Sequence, residues 1–323
     1  MSLPADLANR LSLPLIAAPM FLVSGIELVV AACTAGIIGA FPTVNCRTVE
    51  ELDVWLAEMH HRIADAEQAL GRALPPICPN LIVHRSNPRA MDDVIVLARH
   101  AIKTVIASVG SPHAVIPPLH DAGCLVFADV ASVRHAEKAI EAGADGLVLL
   151  TAGAGGQTGW ANPFAFARAV RAIWCGPMVM AGGLSDGHAL WAARALGCDL
   201  GYMGTRFIAT RESMAAPGYK DMLVASRLDD VKLTRAMTGL ETNILRPSLI
   251  AAGLDPDNLP ERGAIDISKD IDRGVREKSD TRRWKDIWSA GHSVSGVTDA
   301  PFVSELVART RAEYEAARSA SGL

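Results

Sequence analysis

The sequence predicts a closed (β/α)8 barrel, and three observations carry that expectation. Eight short apolar runs alternate with longer helical patterns through the first two-thirds of the chain. These runs are nearly continuous in apolar and small residues, as strands covered on both faces are. The glycines that could shape a ligand site cluster late in the chain rather than after the first strand, which ranks a doubly wound open sheet second.

The strands are expected at 14–20 (PLIAAPM), 36–42 (GIIGAFP), 77–83 (ICPNLIV), 104–110 (TVIASVG), 125–131 (LVFADVA), 146–152 (GLVLLTA), 177–183 (PMVMAGG) and 200–206 (LGYMGTR). Between them, helical patterns at 48–70, 87–101, 132–143 and 185–197 open on Ser, Thr or Asn. Several close on glycine. Parallel neighbours need a crossover each time, so eight such units point to a closed barrel over residues 1–213. The rhythm then breaks. Residues 214–284 are more charged and show no strand–helix alternation, so a helical insertion or cap is expected there. Residues 285–323 read as a return segment and a C-terminal helix that complete the barrel.

Half of the 323 residues are hydrophobic and a fifth are charged, enough for a sizeable core. The net charge of −4 is spread along the chain, which argues against nucleic acid as a partner. Six scattered cysteines without a C-x-x-C pair read as buried thiols in a reducing cytosol, and no metal is expected. No signal peptide or convincing membrane span is read. The expectation is a cytoplasmic protein, monomer or homodimer, acting on a small molecule away from the membrane.

In such barrels chemistry sits at the C-terminal ends of the strands, and phosphate commonly binds after the seventh and eighth. Here the seventh ends MAGGLSDG and the eighth MGTRF. Gly182, Gly183 and Gly204 let backbone N–H groups approach an anion, and Thr205 adds a hydroxyl. The same glycine pairs also serve as plain tight turns. The G-x-G-x-x-G and P-loop patterns are absent, so a mononucleotide cofactor, FMN above all, fits best. Ala18, Pro19 and Met20 end the first strand and could lie flat against a ring system. Asn80 interrupts an apolar run, and its amide must find a partner, whether a ligand or a loop carbonyl.

Together AAPM, PNL, AGAGGQTG, MAGGLSDG and MGTRFIATRES resemble the nitronate monooxygenase family, formerly 2-nitropropane dioxygenases, through most of the chain. Flavin-dependent enoyl-acyl carrier protein reductases share the fold and many of these motifs. The resemblance implies a barrel binding FMN non-covalently. Gly182, Gly183, Gly204 and Thr205 would hold the phosphate, and Ala18, Pro19, Met20 and Asn80 would lie beside the ring or ribityl chain. Active family members generally read A-G-G-H in the glycine loop, with the histidine acting as base or hydrogen-bond donor. This chain reads Ala154-Gly155-Gly156-Gln157. An amide orients a carbonyl or nitro group but takes up no proton near neutral pH.

A second departure is Asp129, where some relatives carry a lysine; it is expected to face ribityl hydroxyls or to be structural. His292, in a segment that approaches the flavin in relatives, is the candidate for proton transfer. Ser108 could add a hydroxyl, and Trp284 and Trp288 could cover the pocket or simply pack. The leading expectation is an FMN-dependent oxidoreductase acting on an activated substrate such as an alkyl nitronate. The alternatives are an NADH- or NADPH-driven reductase of enoyl thioesters or quinones, and a flavin-binding barrel without turnover.

Overall fold

A computed structural model describes residues 3–237, 239–259 and 287–322, and in it all eight expected runs close into one parallel barrel. The strands are β1 (Leu15–Ala17), β2 (Ile38–Pro42), β3 (Ile77–Ile82), β4 (Thr104–Ser108), β5 (Leu125–Val130), β6 (Gly146–Leu150), β8 (Met178–Ala181) and β9 (Leu200–Met203). A two-residue strand, β7 (Gly156–Gln157), stands outside the barrel. Closure runs through β1 and β9, where Ala17 pairs with Met203.

The strand sequences explain the two layers of the core. Side chains alternate across each strand, so Ile16, Ile38, Cys78, Ile106, Phe127, Val148, Val179 and Leu200 fill the lumen. Their neighbours face the helices: Leu15, Leu81, Val105, Val126, Leu147, Met178 and Met203 belong to the larger outer cluster. Both faces are buried, hence the near-continuous apolar runs. Helix Val49–Leu70 shows how local signals set the crossovers. The Thr48 hydroxyl accepts from the Glu51 N–H, Leu52, Leu56, Met59 and Ile63 form the buried stripe, and Gly71 ends it at φ 65°.

The C-terminal helix Val303–Ala320 packs on helix Gly187–Ala195. At the contact, a side-chain carbon on Gly187 would run into the backbone of Thr310 and Tyr314. Replacing helical glycine with alanine ordinarily gains about 1 kcal/mol. Here the clash is with main chain that cannot rotate away, and overpacking costs about 3 kcal/mol. Gly187→Ala is therefore expected to be net destabilising, read as a lower denaturant midpoint at unchanged m-value.

Two expectations need correction. The insertion is not wholly helical: besides helices Pro217–Ala225 and Arg246–Ala251 it carries β10 (Val231–Thr234) and β11 (Thr242–Leu245). These form an antiparallel sheet in the order β10, β11, β7. The charges around Val231 mask the β-branched Val231, Thr234 and Thr242, and the partner strand lies over 70 residues away in the glycine loop. Cysteines 33, 46, 78, 124 and 198 are buried, but Cys175, expected with them, is exposed. Trp284 falls outside the described residues. Among the described residues, no helix is long and apolar enough to cross a membrane.

Candidate active site

The C-terminal ends of β1, β3, β4, β5, β8 and β9, with the loop after β6, gather the expected site residues at one mouth. The glycines there are of two kinds. At Gly183, where φ is 78°, a side-chain carbon would meet no atom within 4 Å, so the backbone borders open space. At Gly204 its nearest neighbours would be Met20 Sδ at 3.5 Å and the Ala18 Cβ at 3.7 Å, ordinary contacts facing the end of β1. Gly182 and Gly155 are instead packed. A carbon on Gly182 would lie 2.6 Å from the Ala154 nitrogen, and one on Gly155 would lie 2.7 Å from the Gly291 nitrogen. Gly182 and Gly155 let loops close on one another; Gly183 borders open space, and Gly204 admits a methyl at ordinary contact with the end of β1.

Thr205 is buried, and its Oγ1 accepts from the Gly291 N–H at 2.9 Å. Among the described residues its own hydroxyl proton has no acceptor. Gly291 is wedged against the glycine loop, since a side chain on it would meet the Gly153 oxygen at 2.5 Å. The next residue, His292, donates its backbone N–H to Gly153 O at 3.0 Å. The His292 side chain itself is exposed. The return segment thus locks the glycine loop and the β9 end together through backbone.

Two buried asparagines that sequence reading did not single out hold the walls. Asn45 accepts from the Leu22 N–H at 2.9 Å and donates to Met20 O at 3.1 Å and Ser24 O at 2.7 Å. It thereby supports Leu22, which sits at φ 61°, a left-handed conformation costing about 1–2 kcal/mol for a residue with a Cβ. Ala18, Pro19 and Met20 are presented by this clamped turn. Asn243 of β11 donates to Ala152 O at 3.1 Å and Ala154 O at 2.7 Å. Beside it Thr242 pairs with Gln157, and Thr158 donates its N–H to Glu241 O at 3.0 Å. The insertion therefore sets the position of Gln157, which is half-buried.

Below the rim lies a polar layer. Ser108 Oγ donates to Asn80 Oδ1 at 3.1 Å, leaving the Asn80 N–H2 end without a hydrogen bond among the described residues. Asp129 shares its face of β5 with Phe127 of the lumen cluster. Its Oδ1 is buried and has no hydrogen-bond partner among the described residues. Burial alone pushes its carboxyl up to about 7. The Tyr202 phenol is raised well above its usual value, chiefly by burial and then by Asp129. Trp288 does not stand free over the mouth: it stacks on Tyr219 with centroids 5.1 Å apart, and the Tyr219 hydroxyl donates to Ser289 O at 2.5 Å.

An oxidised mononucleotide needs backbone N–H groups around its phosphate and a few donors and acceptors along its polar edge. The open space at Gly183, the spare proton of Thr205 and the unpaired end of Asn80 fit those needs.

A family model described as nitronate monooxygenase matches residues 50–313. The nitronate monooxygenase of Paraburkholderia phytofirmans is 28% identical over 297 residues, 81% of each chain. The (3aS,4S,5R,7aS)-5-hydroxy-7a-methyl-1-oxo-octahydro-1H-indene-4-carboxyl-CoA dehydrogenase of Rhodococcus jostii is 30% identical over 154 residues, 48% of this chain and 44% of that one. Among solved structures, the nitroalkane oxidase of Streptomyces ansochromogenes superposes with a TM-score of 0.78 at 23% identity, covering 98% of this chain and 100% of that one. That last likeness speaks for the barrel itself.

Proposed function

Because the chain belongs to the nitronate monooxygenase family of oxidoreductases, which implies an FMN cofactor, we propose that it oxidises an already anionic organic substrate such as an alkyl nitronate. The observation that supports this reading most is Gln157, pinned at the mouth by its pairing with Thr242. A neutral amide there offers a donor and an acceptor to a nitro or carbonyl group but cannot deprotonate a neutral nitroalkane. A nitronate arrives already deprotonated.

Bound FMN would supply the two-electron chemistry. Gly183, Gly204 and Thr205 would hold its phosphate, and Asn80 would hydrogen-bond its polar edge. Ala18, Pro19 and Met20, fixed by Asn45, would form one wall. Gln157 would orient the substrate's oxygen atoms.

The similarity to a carboxyl-CoA dehydrogenase supports a second reading, in which a nicotinamide cofactor and an acyl thioester take the place of the nitronate. Anaerobic stopped-flow with NADH, NADPH and a nitronate separates the two. Bleaching of the flavin by the nitronate alone supports the first, and fast bleaching by either pyridine nucleotide sinks it. A flavin bleached by neither leaves a binding barrel without turnover. Gln157→His is expected to give a gain of roughly a hundredfold with neutral nitroalkanes, the usual worth of a positioned base, read as oxygen uptake. An unchanged rate would mean that no substrate proton lies within reach of position 157.

A further inference from the structure

We propose that Asp129 is the proton-holding group of this site, taking up one solvent proton as negative charge develops on the bound cofactor and releasing it on reoxidation. The proposal rests on the FMN reading above and goes beyond it, because it gives the barrel floor a role that Gln157 cannot fill.

Three features of the geometry carry it. Asp129 lies at the C-terminal end of β5, one layer above Phe127, and the register Ala107↔Ala128 brings it beside Ser108 of the neighbouring strand. Its Oδ1 is sealed from water and accepts no hydrogen bond among the described residues, while the residue as a whole is only half-buried at the C-terminal end of its strand. No ion pair among the described residues involves it, and the titratable groups facing it across the lumen are Cys78 of β3 and Tyr202 of β9. Both are held neutral. The Cys78 thiol is pushed up to about 12, mainly by burial, and the Tyr202 phenol is raised by the same cause.

A carboxylate here would be a bare anion without a cation, an arrangement proteins avoid by keeping the group protonated. Its burial sets the exchange close to neutrality. Added negative charge from the cofactor then favours the neutral acid further. The electron pair comes from the donor, a nitronate or a reduced nicotinamide, and the proton comes from water onto a carboxylate oxygen, leaving hydroxide to the buffer.

The test compares FMN-loaded wild type with Asp129→Asn by midpoint potential between pH 5.5 and 9; the difference between them removes the cofactor's own titration. Equal potentials are expected at pH 5.5, where both side chains are neutral. Above pH 7 the wild type should fall away, lying about 30 mV lower at pH 8.5, which is tenfold in the two-electron equilibrium. Parallel profiles overturn the proposal and leave the FMN reading standing. Failure of the wild type to bind FMN at all overturns both. Should the variant not fold, infrared difference spectra of the wild type carry the test at pH 8. A carboxylic-acid C=O band gained on reduction supports the proposal, and its absence overturns it.

Discussion

Gly183→Val is expected to yield a folded protein that no longer retains FMN. The residue sits at φ 78° with open space beside it, so valine adds backbone strain of about 1–2 kcal/mol without colliding with the fold. That strain is modest against the 5–15 kcal/mol by which domains are ordinarily stable. A branched side chain in that space excludes the phosphate. Losing one or two charge-assisted hydrogen bonds, each worth about 1.5–3 kcal/mol, weakens binding by roughly two orders of magnitude. Gly204→Ala is the sharper companion, because its new methyl meets Met20 and Ala18 only at ordinary distances. It should melt like the wild type and still bind FMN more weakly. Full yellow colour in both variants would contradict the assigned cradle.

Asn243→Ala is expected to be among the most damaging changes that touch no ligand. It strips the half-buried Ala152 and the buried Ala154 carbonyls of their Asn243 donor, a loss of about 3 kcal/mol when two groups go unpaired. It also frees the glycine loop from the insertion. Urea denaturation should show the lower stability, and turnover should fall with a rise in KM because Gln157 no longer holds its place. Asn243→Asp keeps the size and points a charged acceptor at two carbonyls, so it should be worse than alanine. If Asn243→Asp matches the wild type in both measurements, the clamp has no functional weight.

The barrel was legible in the sequence because a strand buried on both faces leaves an unbroken apolar run, and eight of them survive any error at their ends. That glycines end β8 and β9, Gly182-Gly183 after the seventh barrel strand and Gly204 after the eighth, was readable directly, and a general rule about where phosphate binds in such barrels is what turned them into a candidate site. Which glycine borders space and which lets two loops touch was not legible: Gly182 and Gly183 are neighbours with opposite surroundings. The two clamps were half-legible. Asn243 leads into the apolar pair Ile244-Leu245 as Asn80 interrupts β3, and the logic that a buried amide must find partners applies to both. Its partners, Ala152 and Ala154, are some 90 residues away, which no local pattern reveals. The strands of the insertion were hidden for the same reason, their pairing partner being the loop they hold.

The short ladder between β11 and Gly156–Gln157 places a constraint of parity on the loop that carries the glutamine. Strand side chains point alternately to opposite faces, so a one-residue slip of this register would turn the Gln157 side chain to the other face of the ladder. A slip of two would restore its face while moving it along the strand. The pairing of Thr242 with Gln157 is therefore as much a part of the site as the identity of the amide.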